Sequence, residues 1–204
     1  MPKLFISFDI ETDFNRKLLN IGWCSSNIHD EGKEFFVWQN KKNLYWPNDV
    51  DPKYIGICQV WEHAQKTPLG EILTQFKKDV ENKVIVGWNI KSFDIPILRK
   101  YFKKVLKYDW QPVFFDGLLV MRKLIKENDK LCKKLMKVNG LTESGKFPRL
   151  TAESMYKYFT GCFGYNEWHT ALYDAQDERH IIKTMSQIGI SPFKLSEKYI
   201  PKKD

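Results

Sequence analysis

The sequence has no apolar run near the roughly 20 residues that a membrane-spanning helix needs. It also lacks a basic segment followed by an apolar stretch and a small-residue cleavage site, so secretion is not expected and a cytoplasmic location is, with the nucleus left open. Its four cysteines, Cys24, Cys58, Cys132 and Cys162, show no CxxC spacing. That excludes a zinc ribbon or a disulfide framework and implies reduced core thiols. There is no internal repeat, no low-complexity segment and no linker, so the 204 residues are expected to form a single domain. Its core would cover about 4–188, followed by a short basic tail ending PKKD. With 43% hydrophobic and 15% aromatic residues the chain is not disordered. Acids are outnumbered by bases, 25 to 33, which leaves a net charge of +8 that favours polyanionic partners such as nucleic acid.

Against that basic background the opening strand-like segment, SFDIET, carries two acids. Side chains alternate along a strand, so Ile6, Phe8 and Ile10 share one face and Ser7, Asp9 and Glu11 the other. Two carboxylates on one face repel unless water or a cation lies between them. Two readings follow: an edge strand with a wet face, or a divalent-metal site.

Residues 3–11, 19–25 and 33–38 read as the strands of an antiparallel meander, and 44–54 as irregular. Ile72, Leu73, Phe76 and Val80 recur at helical spacing over 68–80. KVIVGWN is a buried strand ending at Gly87, SFDIPILRKYF opens a helix, and PVFFD is a further strand, which implies parallel pairing. Helices are expected over 118–137, 151–159 and 171–188. In isolation Asp94 reads as a helix N-cap, and Asp174 as a first-turn acid favoured by the helix dipole, with Thr170 able to cap. The lysines at 100–107 and 122–137 read as solvated helix faces, and Trp23 and Trp61 as core.

Taken together, FDIET, GWNIKSFD and HTALYDAQD, in that order on strand, helix start and helix, resemble the three motifs of the DEDD-type 3′–5′ exonucleases. The resemblance extends over about residues 4–188 and includes YIGICQVWEHAQKTPLGEILTQF, which looks like the family's segment between the third strand and the next helix. It implies an α/β, ribonuclease H-like fold, a five-stranded mixed sheet flanked by helices. It also implies that Asp9, Glu11, Asp94 and Asp174 hold two divalent cations, Mg²⁺ or Mn²⁺. Such hard ions prefer carboxylate oxygens, and a pair stabilises both the attacking and the leaving oxygen of phosphoryl displacement.

The fifth residue separates two subfamilies. His169 stands five before Asp174, as in the DEDDh pattern, where a histidine takes the proton from the attacking water. Tyr173 and Asp177 also satisfy the Tyr-x₃-Asp spacing of the DEDDy subfamily; HTALYDA favours the histidine. Thr12, Phe14 and Asn89 are the substrate contacts the resemblance suggests. Asp13 and Phe14 stand where Thr-Gly and a bulky apolar residue are common, and Trp88 where His is frequent. The expected activity is hydrolysis of nucleotides from the 3′ end of DNA or RNA, with release of nucleoside 5′-monophosphates. The partner is a nucleic acid with a free 3′ end, single-stranded, and no membrane. The competing readings are a DEDDy proofreading-type exonuclease and a non-catalytic nucleic-acid-binding module on the same fold.

Overall fold

A computed structural model describes residues 4–40, 44–45, 52–166 and 168–200. The irregular stretch expected around 46–51, the basic tail at 201–204 and the side chain of Cys58 lie outside what is described. The chain begins with the expected meander, β1 (Phe5–Thr12), β2 (Leu18–Ser25) and β3 (Lys33–Val37). It continues through α1 (Pro52–His63), β4 (Lys66–Thr67), α2 (Leu69–Val80), β5 (Val84–Gly87), α3 (Asp94–Leu106) and β6 (Val113–Asp116). Then come α4 (Gly117–Glu127), α5 (Asp129–Asn139), α6 (Ala152–Thr160), α7 (Ala171–Gln187), α8 (Pro192–Leu195) and β7 (Glu197–Lys198).

The sheet has seven strands rather than five, in the order β4-β3-β2-β1-β5-β6-β7. The two additional strands are two-residue edges: Lys66–Thr67 pairs parallel to Phe36 and Val37, and Glu197–Lys198 antiparallel to Val113 and Phe114. Two residues carry no alternation, so they leave no sequence signal. The five longer strands run in the mixed pattern expected, β1 antiparallel to β2 and parallel to β5. The expectation of irregular chain up to residue 54 also needs correction, because α1 starts at Pro52. The single helix expected over 118–137 divides in two where Asn128 caps α5 by accepting the N–H of Leu131 at 2.9 Å.

One layer of helices lies on each face of the sheet. Ile6, Phe8 and Ile10 pack with Phe76 of α2 and Phe102 of α3 in one core, where the Phe8 and Phe76 rings are 5.4 Å apart. Val86 and Phe115 pack with Met121, Leu135, Met155 and Ile182 in the other. Trp23 and Trp61 are buried as expected, at 2% and 4% exposure. The lysines of α3 to α5 face solvent, as their spacing predicts. Among the described thiols the expectation of core burial holds for Cys24 alone, where burial pushes the thiol up to about 12, while Cys132 is half-buried and Cys162 exposed. Among the described residues, no helix is long and apolar enough to cross a membrane.

Candidate active site

The acids of SFDIET do not lie on an edge. Strand β1 is the centre of the sheet, paired with β2 on one side and β5 on the other. An edge strand with a wet face is therefore not the explanation for Asp9 and Glu11. Strand alternation aims Phe8 into the α2–α3 core and turns Asp9 and Glu11 toward α7.

Helix α7 is held against the sheet by β2 and β3. Asp9 pairs with Gly22 of β2. A Cβ at Gly22 would stand 2.2 Å from the backbone nitrogen of Leu172, so no larger residue lets the helix start approach so closely. The carboxamide of Asn20, fully buried, accepts the N–H of Ala171 at 2.8 Å and donates to the carbonyl of Phe35 at 3.1 Å. Glu34 accepts the N–H of Leu172 at 3.2 Å. Thr170 makes no side-chain cap, contrary to the sequence reading; acceptors from neighbouring strands satisfy the first helical N–H groups instead. The register of α7 against β1 follows from these contacts.

On that helix Asp174 and Glu178, four residues apart, share the face turned to β1. Glu11, His169 and Asp174 each offer a ligand atom, and the three atoms lie within 4.8 Å of one another. His169 reaches this position through a left-handed backbone turn, φ 51°. The side chain of Asp9 belongs to the same electrostatic group. Its carboxyl is pushed well above the usual carboxylate range by burial first and then by the charges of Asp94, Glu178, Glu11 and Asp174.

Asp94 is not the N-cap its sequence position suggested. Phe93 occupies the cap position without a side-chain bond, and Asp94 is the first helical residue, 2% exposed. Burial drives its carboxyl up to about 7, only partly offset by the backbone N–H groups of Asp94 and Ile10, and the charge of Asp116 adds to the rise. Its Oδ1 is buried with no hydrogen-bond partner among the described residues. A buried acceptor left open in this way is costly.

The alternative pair is differently occupied. Tyr173 is 53% exposed, and Asp177 accepts a hydrogen bond from the hydroxyl of Tyr165. Of the proposed substrate contacts, Thr12 is half-buried directly after Glu11, and Phe14 is 46% exposed in the turn that follows. Asn89 adopts φ 64° in the loop leading to Asp94. Asp13 is structural: its carboxylate accepts the N–H groups of Lys17 at 2.7 Å and Tyr45 at 3.0 Å. Trp88 is core, its indole donating to the carbonyl of Leu150 at 2.7 Å.

Two acids escaped the sequence reading. Asp116, at the end of β6, accepts the N–H groups of Asn89 at 3.1 Å, Lys91 at 3.0 Å and Leu119 at 3.2 Å. It thereby caps α4 and holds the loop that carries Asp94. Glu178 is 4% exposed, with Oε2 3.0 Å from where a Cβ on Gly87 would stand. Its signal was available, an acid one turn after Asp174 on a stripe that buries Ala175, Ile181 and Ile182.

The donor set fits divalent cations. Carboxylate oxygens are the hard donors that Mg²⁺ and Mn²⁺ take, and positive charge among them would relieve both the crowding around Asp9 and the open acceptor of Asp94.

The chain resembles known proteins in sequence and in shape. A family model described as "Exonuclease" matches residues 15–178. A DNA polymerase III of PolC type from Thermotoga petrophila is 36% identical over 61 residues, 30% of this chain and 4% of that protein. Escherichia coli Exonuclease I, solved in complex with an oligonucleotide, superposes with a TM-score of 0.68 at 17% identity, over 93% of this chain and 42% of that one. The zinc-bound form of its complex with single-stranded DNA gives 0.66 at 18%, over 95% and 42%. The chain thus spans about two fifths of the solved exonucleases it matches and a small part of the polymerase.

Proposed function

Since the chain belongs to the exonuclease family, with DEDD-type motifs on a ribonuclease H-like fold, we propose that it is a metal-dependent 3′–5′ exonuclease. In this reading it releases nucleoside 5′-monophosphates from single-stranded ends of DNA or RNA. The observation that carries the reading is the meeting of Glu11, His169 and Asp174 within 4.8 Å, from β1 and the start of α7, in the order the family motifs require. Asp9, Glu11, Asp94 and Asp174 would hold two ions, Mg²⁺ or Mn²⁺. Bound there, the ions would supply positive charge against the attacking and leaving oxygens of the phosphodiester.

The chain's own residues have distinct tasks. The imidazole of His169 accepts a proton from the attacking water, which suits a side chain whose charge changes near neutral pH. Asn20, Gly22 and Glu34 fix the entry to α7 and so hold His169 and Asp174 opposite Glu11. Asp116 orients the loop from which Asp94 projects. Thr12, Phe14 and Asn89, at the ends of the segments that carry the acids, contact the terminal nucleotide. The outward position of Tyr173 and the engagement of Asp177 by Tyr165 favour the histidine over the tyrosine mechanism. A single-stranded substrate is supported by the complex of Exonuclease I with single-stranded DNA. The test is hydrolysis itself: with Mg²⁺ or Mn²⁺ a strand blocked by a 3′-phosphate should be degraded more slowly than one ending in a hydroxyl, and equal rates would oppose the assignment.

A further inference from the structure

The loop entering α7 presents aromatic surface to solvent beside the acid cluster. The left-handed turn at His169 brings the imidazole to Glu11 and Asp174 and leaves the preceding indole outside. Trp168 is 72% exposed and Tyr173, the residue before Asp174, is 53% exposed. Their rings lie 5.9 Å apart with an interplanar angle of 30°. Each ring is thus one residue from a member of the cluster, about 3.8 Å along the chain. Of the other described tryptophans, Trp23, Trp61, Trp88 and Trp110 are buried, and Trp38, directly after β3, is 66% exposed.

We propose that Trp168 and Tyr173 form a stacking platform for an unpaired base next to the scissile phosphate, and that this platform gives the enzyme its preference for single-stranded ends. A phosphodiester seated at the cluster brings an attached base within reach of the indole. Every base has a π-face, so stacking tolerates any sequence, as an enzyme moving along a strand requires. Trp and Tyr offer large contact area and lose little rotational freedom on binding. In a duplex each base is paired and covered by its neighbours, so the platform would find no free face. The inference rests on the exonuclease reading and adds a substrate determinant to it.

The test compares the full chain with its Trp168→Ala and Trp168→Phe variants on a 5′-labelled single-stranded oligonucleotide. Trp168→Ala should raise KM by roughly 5- to 100-fold, the usual worth of one stacked base. The maximal rate and Mn²⁺ binding followed by electron paramagnetic resonance should not change, and Trp168→Phe should recover most of the affinity. An abasic residue among the last three nucleotides should weaken binding to the wild type by a similar factor and add little in Trp168→Ala, because both remove one contact. If the wild type shortens the strand and Trp168→Ala matches its KM, the platform is refuted and the exonuclease reading stands. Loss of Mn²⁺ binding in Trp168→Ala would equally refute it, by making the indole structural. A wild type that shortens no strand removes the exonuclease reading and the platform with it.

Discussion

Replacing Asp94 by Asn should stabilise the metal-free protein at neutral pH while removing a ligand. The carboxyl rises from 3.8 to about 7 because it is buried, with Oδ1 lacking a partner among the described residues. Below about pH 4 it is protonated in both folded and unfolded chains and contributes no difference. Between about pH 4 and 7 the unfolded chain gives up a proton that the folded chain keeps, so stability falls as pH rises, and the full cost stands above about 7. At about 1.4 kcal/mol per unit the ceiling is roughly 4 kcal/mol. Asparagine keeps an oxygen for the N–H groups of Asp94 and Ile10 and carries no charge, so about half that ceiling, ~2 kcal/mol, should be recovered. For a domain of this size that is about 4–8 °C in Tm. Thermal unfolding with a chelator at pH 8 should show this gain for Asp94→Asn, and at pH 4 the gain should vanish. Mg²⁺ should raise the Tm of the wild type at pH 8 more than that of the variant. A variant less stable at pH 8, or equally shifted at both pH values, would refute the reasoning.

Other variants test other parts of the site. Asp9→Asn should abolish turnover with the fold intact, since it removes a ligand and a repulsive charge together; unchanged activity with added Mg²⁺, beside a native circular dichroism spectrum, would contradict the metal assignment. His169→Ala should slow single-turnover cleavage by roughly 10²–10⁴-fold with Mn²⁺ binding retained, whereas Tyr173→Phe, which keeps its ring against Trp168, should change the rate little; the opposite outcome would support a tyrosine mechanism using Asp177. Gly22→Ala should be destabilising and should reduce activity, because its methyl group would collide with the backbone of Leu172; a variant with native Tm and rate would show that the start of α7 can shift freely.

Much of this site was legible because its chemistry is local in sequence. FDIET, SFD and HTALYD each combine an acid with the element that presents it, and strand alternation assigned the faces of β1 correctly. What sequence reasoning missed depends on contacts between distant segments. The capping of α7 by Asn20 and Glu34 cannot be inferred from Thr170, the local candidate. Asp94 reads as a cap from its neighbours, yet it is buried at the end of β1 because the loop before it is tied to Asp116. Glu178 lies one turn after Asp174, but its role emerges only when the buried face of α7 is laid against β1. The edge strands β4 and β7 are too short to leave a period.

Exonuclease polarity is tested by digestion of a 5′-labelled single-stranded oligonucleotide with Mg²⁺ or Mn²⁺, beside a circular strand of the same sequence. A 3′–5′ exonuclease should give a ladder of labelled products shortening from the 3′ end, nucleoside 5′-monophosphates in the supernatant, and an intact circle. Cleavage of the circle at a comparable rate, or early release of the 5′ label as a mononucleotide, would contradict it.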